Sequence, residues 1–220
     1  RSTLFPYTTL FRSRTGPIFL AASTHPGEDE IIAEVHKALS ATHPHLLTII
    51  APRHPERGAD IAAMLGAHGL DVARRSQGAV PGAETSVYIC DTVGELGLFY
   101  SLATFAFIGG SLVLHGGQNP IEAVKLGAGV ITGPHWHNFP EVYQALAEQG
   151  GCRFVTSQED LIQTARALFD DRASLDLMRA RAEDTVAELS GALGRTLEAL
   201  EPLLPPKNAP IAPDGAVYAS

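Results

Sequence analysis

Cysteine is scarce. Two occur in 220 residues, Cys90 and Cys152, far apart and at no metal-ligand spacing. That argues against a disulfide-stapled scaffold or a zinc ribbon and points to two reduced thiols in a reducing compartment. Basic residues are in deficit too: 16 Lys and Arg against 24 Asp and Glu give a net charge of −8. Such a balance argues against a nucleic-acid-binding surface, which needs clustered cations, although single basic residues can still hold one nucleotide. The nine histidines, among them His135 and His137 around Trp136, have no Cys or acidic ligand at a recognised spacing, so no metal is expected. One run, residues 96–114 (LGLFYSLATFAFIGGSLVL), lacks charge over a length able to span a bilayer. Gly109, Gly110 and Ser111 interrupt it, and a buried helix (96–103) running into a buried strand (104–108) accounts for it. With 45% hydrophobic residues the chain can bury the core of one large domain or two small ones.

From Gly16 onward, short apolar runs alternate with helical patterns. PIFLAAS, HLLTIIAP, LDVARRS, SVYICD, TFAFIGG, GVITG and CRFVT read as strands. Glu28–Ser40 reads as an amphipathic helix with Ile31, Ile32, Val35 and Leu39 on one side. Further helices are expected at 55–68, 95–103, 120–126 and 139–149, and helix dominates from 159 to about 203. Strands separated by helices of this length imply βαβ units, a doubly wound parallel sheet and an α/β, Rossmann-like fold. In such a sheet ligands bind outside the carboxyl ends of the strands, so the loops there carry the candidates.

Four loops hold unusual residues. STHPGEDE (23–30) offers Ser23 or Thr24 as a helix cap, Pro26 in the first turn and Glu28, Asp29 and Glu30 at the positive end of the dipole, leaving His25 and Gly27 over. In APRHPER (51–57), Arg53 and His54 stand between two prolines at a strand mouth. Arg53 suits a phosphate, the alternative being a surface pair with Glu56. In DTVGELG (91–97), Gly94 lets backbone approach a nucleotide while the helix start at Glu95 presents N–H groups, and a plain Asp or Thr cap serves almost as well. GGSLVLHGGQNPIEA (109–123) brackets a hydrophobic segment with two Gly pairs. Asn119 then caps a helix begun by Pro120, with Glu122 at capping-box spacing. Glu122 is equally placed to accept hydrogen bonds from ribose hydroxyls, and four glycines suggest backbone approaching a ligand.

These four segments, together with GVITGPHWHNFPEVY (129–143), occur in the same order and with similar spacing in the lipid A Kdo transferases, which the chain resembles from about 16 to 206. The resemblance implies the C-terminal half of a GT-B glycosyltransferase that moves 3-deoxy-D-manno-octulosonic acid (Kdo) from CMP-Kdo to a lipid A precursor. It implies nucleotide contacts at Pro52, Arg53 and His54, and a site lined by Val93, Gly94, Glu95 and Leu96. Gly110 and Ser111 would lie near the phosphate, Asn119, Pro120, Ile121 and Glu122 on the ribose side, and Ser23, Thr24 and His25 along the cleft. No cofactor is implied; CMP-Kdo is the substrate. Gln118 departs from the pattern, which has a His there. The general base, the lipid contact and the membrane-proximal segment at the cytoplasmic face of the inner membrane belong to the family's first domain. This chain is therefore expected to be a soluble donor-binding fragment without catalytic residues of its own. The alternatives are a UDP-sugar donor domain or a non-catalytic nucleotide-binding module.

The first residues, RSTLFPYTTLFRS, show no signal-peptide core, and Pro6 breaks any helix. TLFPYTTLFRS resembles the translation of a sequencing adapter. Residues 1–13 are thus expected to be a disordered artefact, 14–205 the donor-binding domain and 206–220, Pro-rich and aperiodic, a flexible tail.

Overall fold

In the computed structural model the described residues are Phe11 and 16–200, without the side chains of 192–200. The expected tail at 206–220 and most of the segment 1–13 lie outside them. Phe11, the one described residue of 1–13, packs into the core. It is 3% exposed, its ring edge-on to Tyr88 at 5.5 Å and to Phe99 at 5.7 Å. An aromatic ring that finds an apolar slot is held there by the area it removes from water.

The elements alternate as the apolar runs imply: β1 (Ile18–Thr24), α1 (Glu28–Ser40), β2 (Leu47–Pro52), a 3₁₀ turn (Pro55–Arg57), α2 (Gly58–Ala67), β3 (Val72–Arg74), a second 3₁₀ turn (Arg75–Gln77) and β4 (Val87–Ile89). There follow α3 (Leu96–Leu102), β5 (Phe105–Ile108), α4 (Ile121–Lys125), β6 (Gly129–Thr132), α5 (Pro140–Gln149), β7 (Arg153–Phe154), α6 (Gln158–Asp170) and α7 (Arg172–Leu200). The uncharged run 96–114 divides into α3 and β5, and no helix among the described residues is long and apolar enough to cross a membrane.

The strands form one seven-stranded sheet in the order β3-β4-β2-β1-β5-β6-β7, with every pairing parallel. Alternate strand residues feed two cores. Phe19, Ala21, Ile50, Phe105 and Phe107 pack on one face against Ile32, Val35 and Leu39 of α1, Leu65 of α2 and Leu161 of α6. Leu20, Ala22, Ile49, Ala106 and Ile108 pack on the other against Phe99 of α3, Val124 of α4, Leu146 of α5 and Val186 of α7. Burial on both faces is why these strands read as unbroken apolar runs. Both cysteines lie in the second core, their thiols pushed up to about 12 by burial.

The sheet's winding reverses between β1 and β5, so a crevice opens where their carboxyl ends diverge. The chain marks the spot. Ser23, at the end of β1, has φ 55, and the register between β1 and β2 shifts beside it. Gly109 is glycine because a Cβ there would stand 2.5 Å from the Ser23 carbonyl oxygen.

Candidate functional site

Three carboxylate-centred joints organise the loops at the carboxyl edge. The first is Glu28, which is fully buried. Its Oε2 accepts from the N–H of His25 (2.9 Å) and Gly110 (2.7 Å), and its Oε1 from those of Ser111 and Leu112 (3.0 Å each). A carboxylate buried without a cation is tolerated only when donors surround it in this way. Glu28 thereby rivets the β5 loop to the β1 loop across the crevice. In the second joint Asp29 accepts from Thr24 Oγ1 (2.7 Å) and pairs with Arg57, which also donates to the Thr24 carbonyl (3.1 Å). Burial raises the Asp29 pKa, and Thr24 and Arg57 pull it back.

The third joint holds the β4 loop from the side of β3. Arg74 donates through Nε (2.9 Å) and Nη2 (2.7 Å) to Asp91 Oδ2, and Ser76 donates to the same carboxylate. Arg75 clasps both oxygens of Glu95 at 2.9–3.1 Å, and Thr92 Oγ1 donates to it as well. The Arg75 clasp, ahead of burial, sets the Glu95 carboxyl below its ordinary range. At Asp91 burial raises the pKa, but the bonds from Ser76 and Arg74 together outweigh it and the net shift is downward.

The structure brings Ser23, Pro52, Arg53, Val93, Gly94 and Leu96 together around one open cleft of about 210 Å³. Arg53 is exposed there, without a side-chain hydrogen bond or ion pair among the described residues; Glu56 instead lies 3.7 Å from His54. Glu95 stands at the start of α3 with its side chain committed to Arg75. Asn119 Oδ1 accepts from the Ile121 N–H (2.9 Å), bridging into the start of α4 across buried Pro120, which rather than Asn119 holds the cap position. Glu122 does not close the capping box. Its exposed carboxylate turns toward α3, where a Cβ on Gly97 would come within 3.2 Å of Oε1.

Several expectations need correction. Ser23 and Thr24 do not cap α1. Gly27 (φ 93) occupies that position, because Ser23 sits in the left-handed bend and the Thr24 hydroxyl is spent on Asp29. Thr24 is fully buried and does not line the cleft. Gly110 and Ser111 are buried as well, their N–H groups taken by Glu28. The Ser111 hydroxyl donates to the Ile108 carbonyl (2.6 Å) and accepts from the Gly133 N–H (2.8 Å). Both residues join loops through these bonds. The glycine pairs likewise answer to protein rather than ligand. A Cβ on Gly116 would fall 2.6 Å from His137 Nε2, and one on Gly117 would fall 2.9 Å from the His135 carbonyl oxygen.

His25 is 7% exposed and central. It stacks on His115 with ring centroids 4.1 Å apart, meets His54 edge-on at 6.1 Å and lies 3.3 Å from Gln118 Nε2. Burial first, then His115, His54, Arg57 and Arg53, lowers its pKa. His115 escaped the sequence reading; its one signal is a ring-bearing residue directly before the second Gly pair. Among the described residues no group of three His, Cys, Asp or Glu gathers as a metal site would require.

A doubly wound parallel sheet with its cleft at the strand carboxyl ends is a Rossmann-like fold, of the kind that forms the C-terminal domains of GT-B glycosyltransferases. Sucrose-phosphate synthase from Thermosynechococcus elongatus has that architecture, with a TM-score of 0.55 at 18% identity over 87% of this chain and 48% of its own. No protein-family model matches. The sequence relatives narrow the class: this chain is similar to part of the 3-deoxy-D-manno-octulosonic acid transferases. The enzyme of that name from Haemophilus influenzae is 43% identical over 189 residues, 86% of this chain, and that from Bordetella pertussis is 38% identical over 84%. The chain spans 44% of the length of each. The C-terminal CMP-Kdo binding domain of WaaA from Acinetobacter baumannii superposes with a TM-score of 0.78 at 26% identity, over 82% of this chain and 94% of that domain.

Proposed function

We propose that this chain binds CMP-Kdo and is the donor half of an enzyme that transfers Kdo from CMP to a lipid A precursor. The supporting observation is the open cleft at the β2 and β4 carboxyl ends, where Arg53 stands unpaired in a fold shared with a CMP-Kdo binding domain. Arg53 meets the donor phosphate, a charge-assisted contact, and stabilises the charge that grows on CMP as it leaves. Gly94, Glu95 and Leu96 supply the N–H groups of a helix start, which have no intrahelical partner. Glu122 and Asn119 face the ribose, and Val93, 87% exposed, is an apolar lip of the cleft. The attacking sugar hydroxyl, and the carboxylate that deprotonates it, come from the remainder of the enzyme together with the lipid acceptor. The intact enzyme works at the cytoplasmic face of the inner membrane, where that acceptor lies.

Titration calorimetry with CMP and UDP tests the reading. CMP is expected to bind the more tightly, and a clear preference for UDP would transfer the chain to the UDP-sugar enzymes. Arg53→Ala should weaken CMP by about tenfold or more, as the loss of one charged hydrogen bond implies. Unchanged affinity would take Arg53 out of the site. With CMP-Kdo and a lipid A precursor, the 220-residue chain is expected to bind donor without transferring Kdo. Transfer by this chain would overturn the assignment of the base to the remainder.

A further inference from the structure

Resting on the donor-binding reading, we propose that His25 and His115, backed by Gln118, form a subsite for the carboxylate of the transferred sugar acid. A ketosugar acid differs from an ordinary hexose in carrying a carboxylate on its anomeric carbon, beside the phosphodiester. Its enzyme must therefore receive two anionic groups a few ångströms apart. Arg53 takes one. The His25–His115 stack, which meets His54, the residue after Arg53, edge-on at 6.1 Å, would take the other.

Charge bookkeeping around His25 carries the argument. The chain is strongly acidic, with a net charge of −8. Yet the side chains that lower the His25 pKa, after burial, are basic: His115 from the β5 loop and His54, Arg57 and Arg53 from the β2 side. The acidic groups nearby are already engaged. Asp29 is paired with Arg57, Glu56 lies beside His54, and the Glu28 carboxylate is filled by four N–H groups. Arg53 and His115 have no acidic partner among the described residues. A ligand anion where the sheet's winding reverses would thus find a guanidinium and an imidazole not already paired with an acid, and would favour the protonated form of His25.

The stack is built rather than incidental. Its rings lie 23° from parallel. Gly110 makes room beneath, since a Cβ there would stand 3.2 Å from His25 Cδ2 and 3.4 Å from His115 Cβ. Glu28 fixes the backbone of His25, and Asn138 Nδ2 donates to the His115 carbonyl (2.9 Å). Beside it, Tyr143 Oη donates to the Gln118 carbonyl (2.7 Å). The ring edge of exposed His115 is left free toward solvent, where a ligand arrives.

The test compares CMP with CMP-Kdo on the full chain, by calorimetry and by NMR of the imidazole Cε1–H resonances. CMP-Kdo is expected to bind at least about tenfold more tightly than CMP, the worth of one charge-assisted contact. It should also move the His25 and His115 resonances toward the imidazolium position, which CMP alone does not. In His115→Asn, and in His25→Asn, the ratio of the two Kd values should fall toward one. A ratio unchanged in both variants, or His25 and His115 resonances that CMP-Kdo leaves in place in the unaltered chain, would overturn the subsite while the donor reading stands. Failure of both compounds to bind would overturn the two together.

Discussion

A single carboxylate decides whether the two loops at the winding reversal stay joined. Glu28 satisfies four backbone N–H groups, three of them from a loop more than eighty residues away. Glu28→Gln keeps the shape but turns one acceptor into a donor, set against N–H groups that already donate. Removing a charged acceptor and leaving buried donors unpaired costs about 3 kcal/mol. Urea unfolding should show the loss as a lower midpoint at an unchanged slope, and a midpoint within error of the parent would refute it. In the sequence, Glu28 reads as one of three acids at a helix start, a role that macrodipole arguments explain fully. Its partners are invisible there, because nothing local ties position 28 to position 111. The glycine pairs mislead for the same reason. Their number signals close approach, but only the fold reveals that the approaching groups are Ser23, His135 and His137.

At the scale of elements, the sheet and its helices were legible because periodicity is a local property. Runs such as IFLAAST and LTIIAP lie between two helical layers and need no alternation. The β4 loop was half legible. Gly94 and the helix start were visible, whereas the arginines that hold the loop sit in VARRS and read as strand residues. Arg75 reaches Glu95 from the turn after β3, and this clasp keeps residues 91–97 in place. Arg75→Ala should lower global stability by about 1–3 kcal/mol, since it strips a mostly buried carboxylate of its bidentate partner. It should raise amide hydrogen exchange across 91–97 and weaken CMP several-fold by loosening the backbone that meets it. Exchange rates equal to those of the parent would mean that Asp91, with Arg74 and Ser76, holds the loop alone.

For the molecule as a whole, the packing of α1 on the sheet carries a pH dependence. His36 lies on the buried face of α1, 3% exposed, with Nδ1 at 2.9 Å from Thr48 Oγ1 on β2. Burial pushes its pKa down to about 4. In the unfolded chain an imidazole titrates near its ordinary value of about 6.5. Above that value both states are neutral and the packing contributes fully. As the pH falls toward 4 the unfolded chain takes up a proton that the folded one refuses, so stability declines across that window. The loss is about 1.4 kcal/mol per pH unit and approaches 3 kcal/mol in all, a substantial part of a domain's 5–15 kcal/mol. His25, lowered as well, adds to the same slope. Asp91 and Glu95, lowered carboxylates, lose their contribution only at more acidic pH, and the raised Asp29 acts in the opposite sense. His36→Asn, which keeps an acceptor near the Nδ1 position but does not titrate, should flatten the dependence of unfolding free energy on pH between 6.5 and 4.5. If the variant and the parent lose stability along the same slope, the proton refused by the fold is not the one on His36.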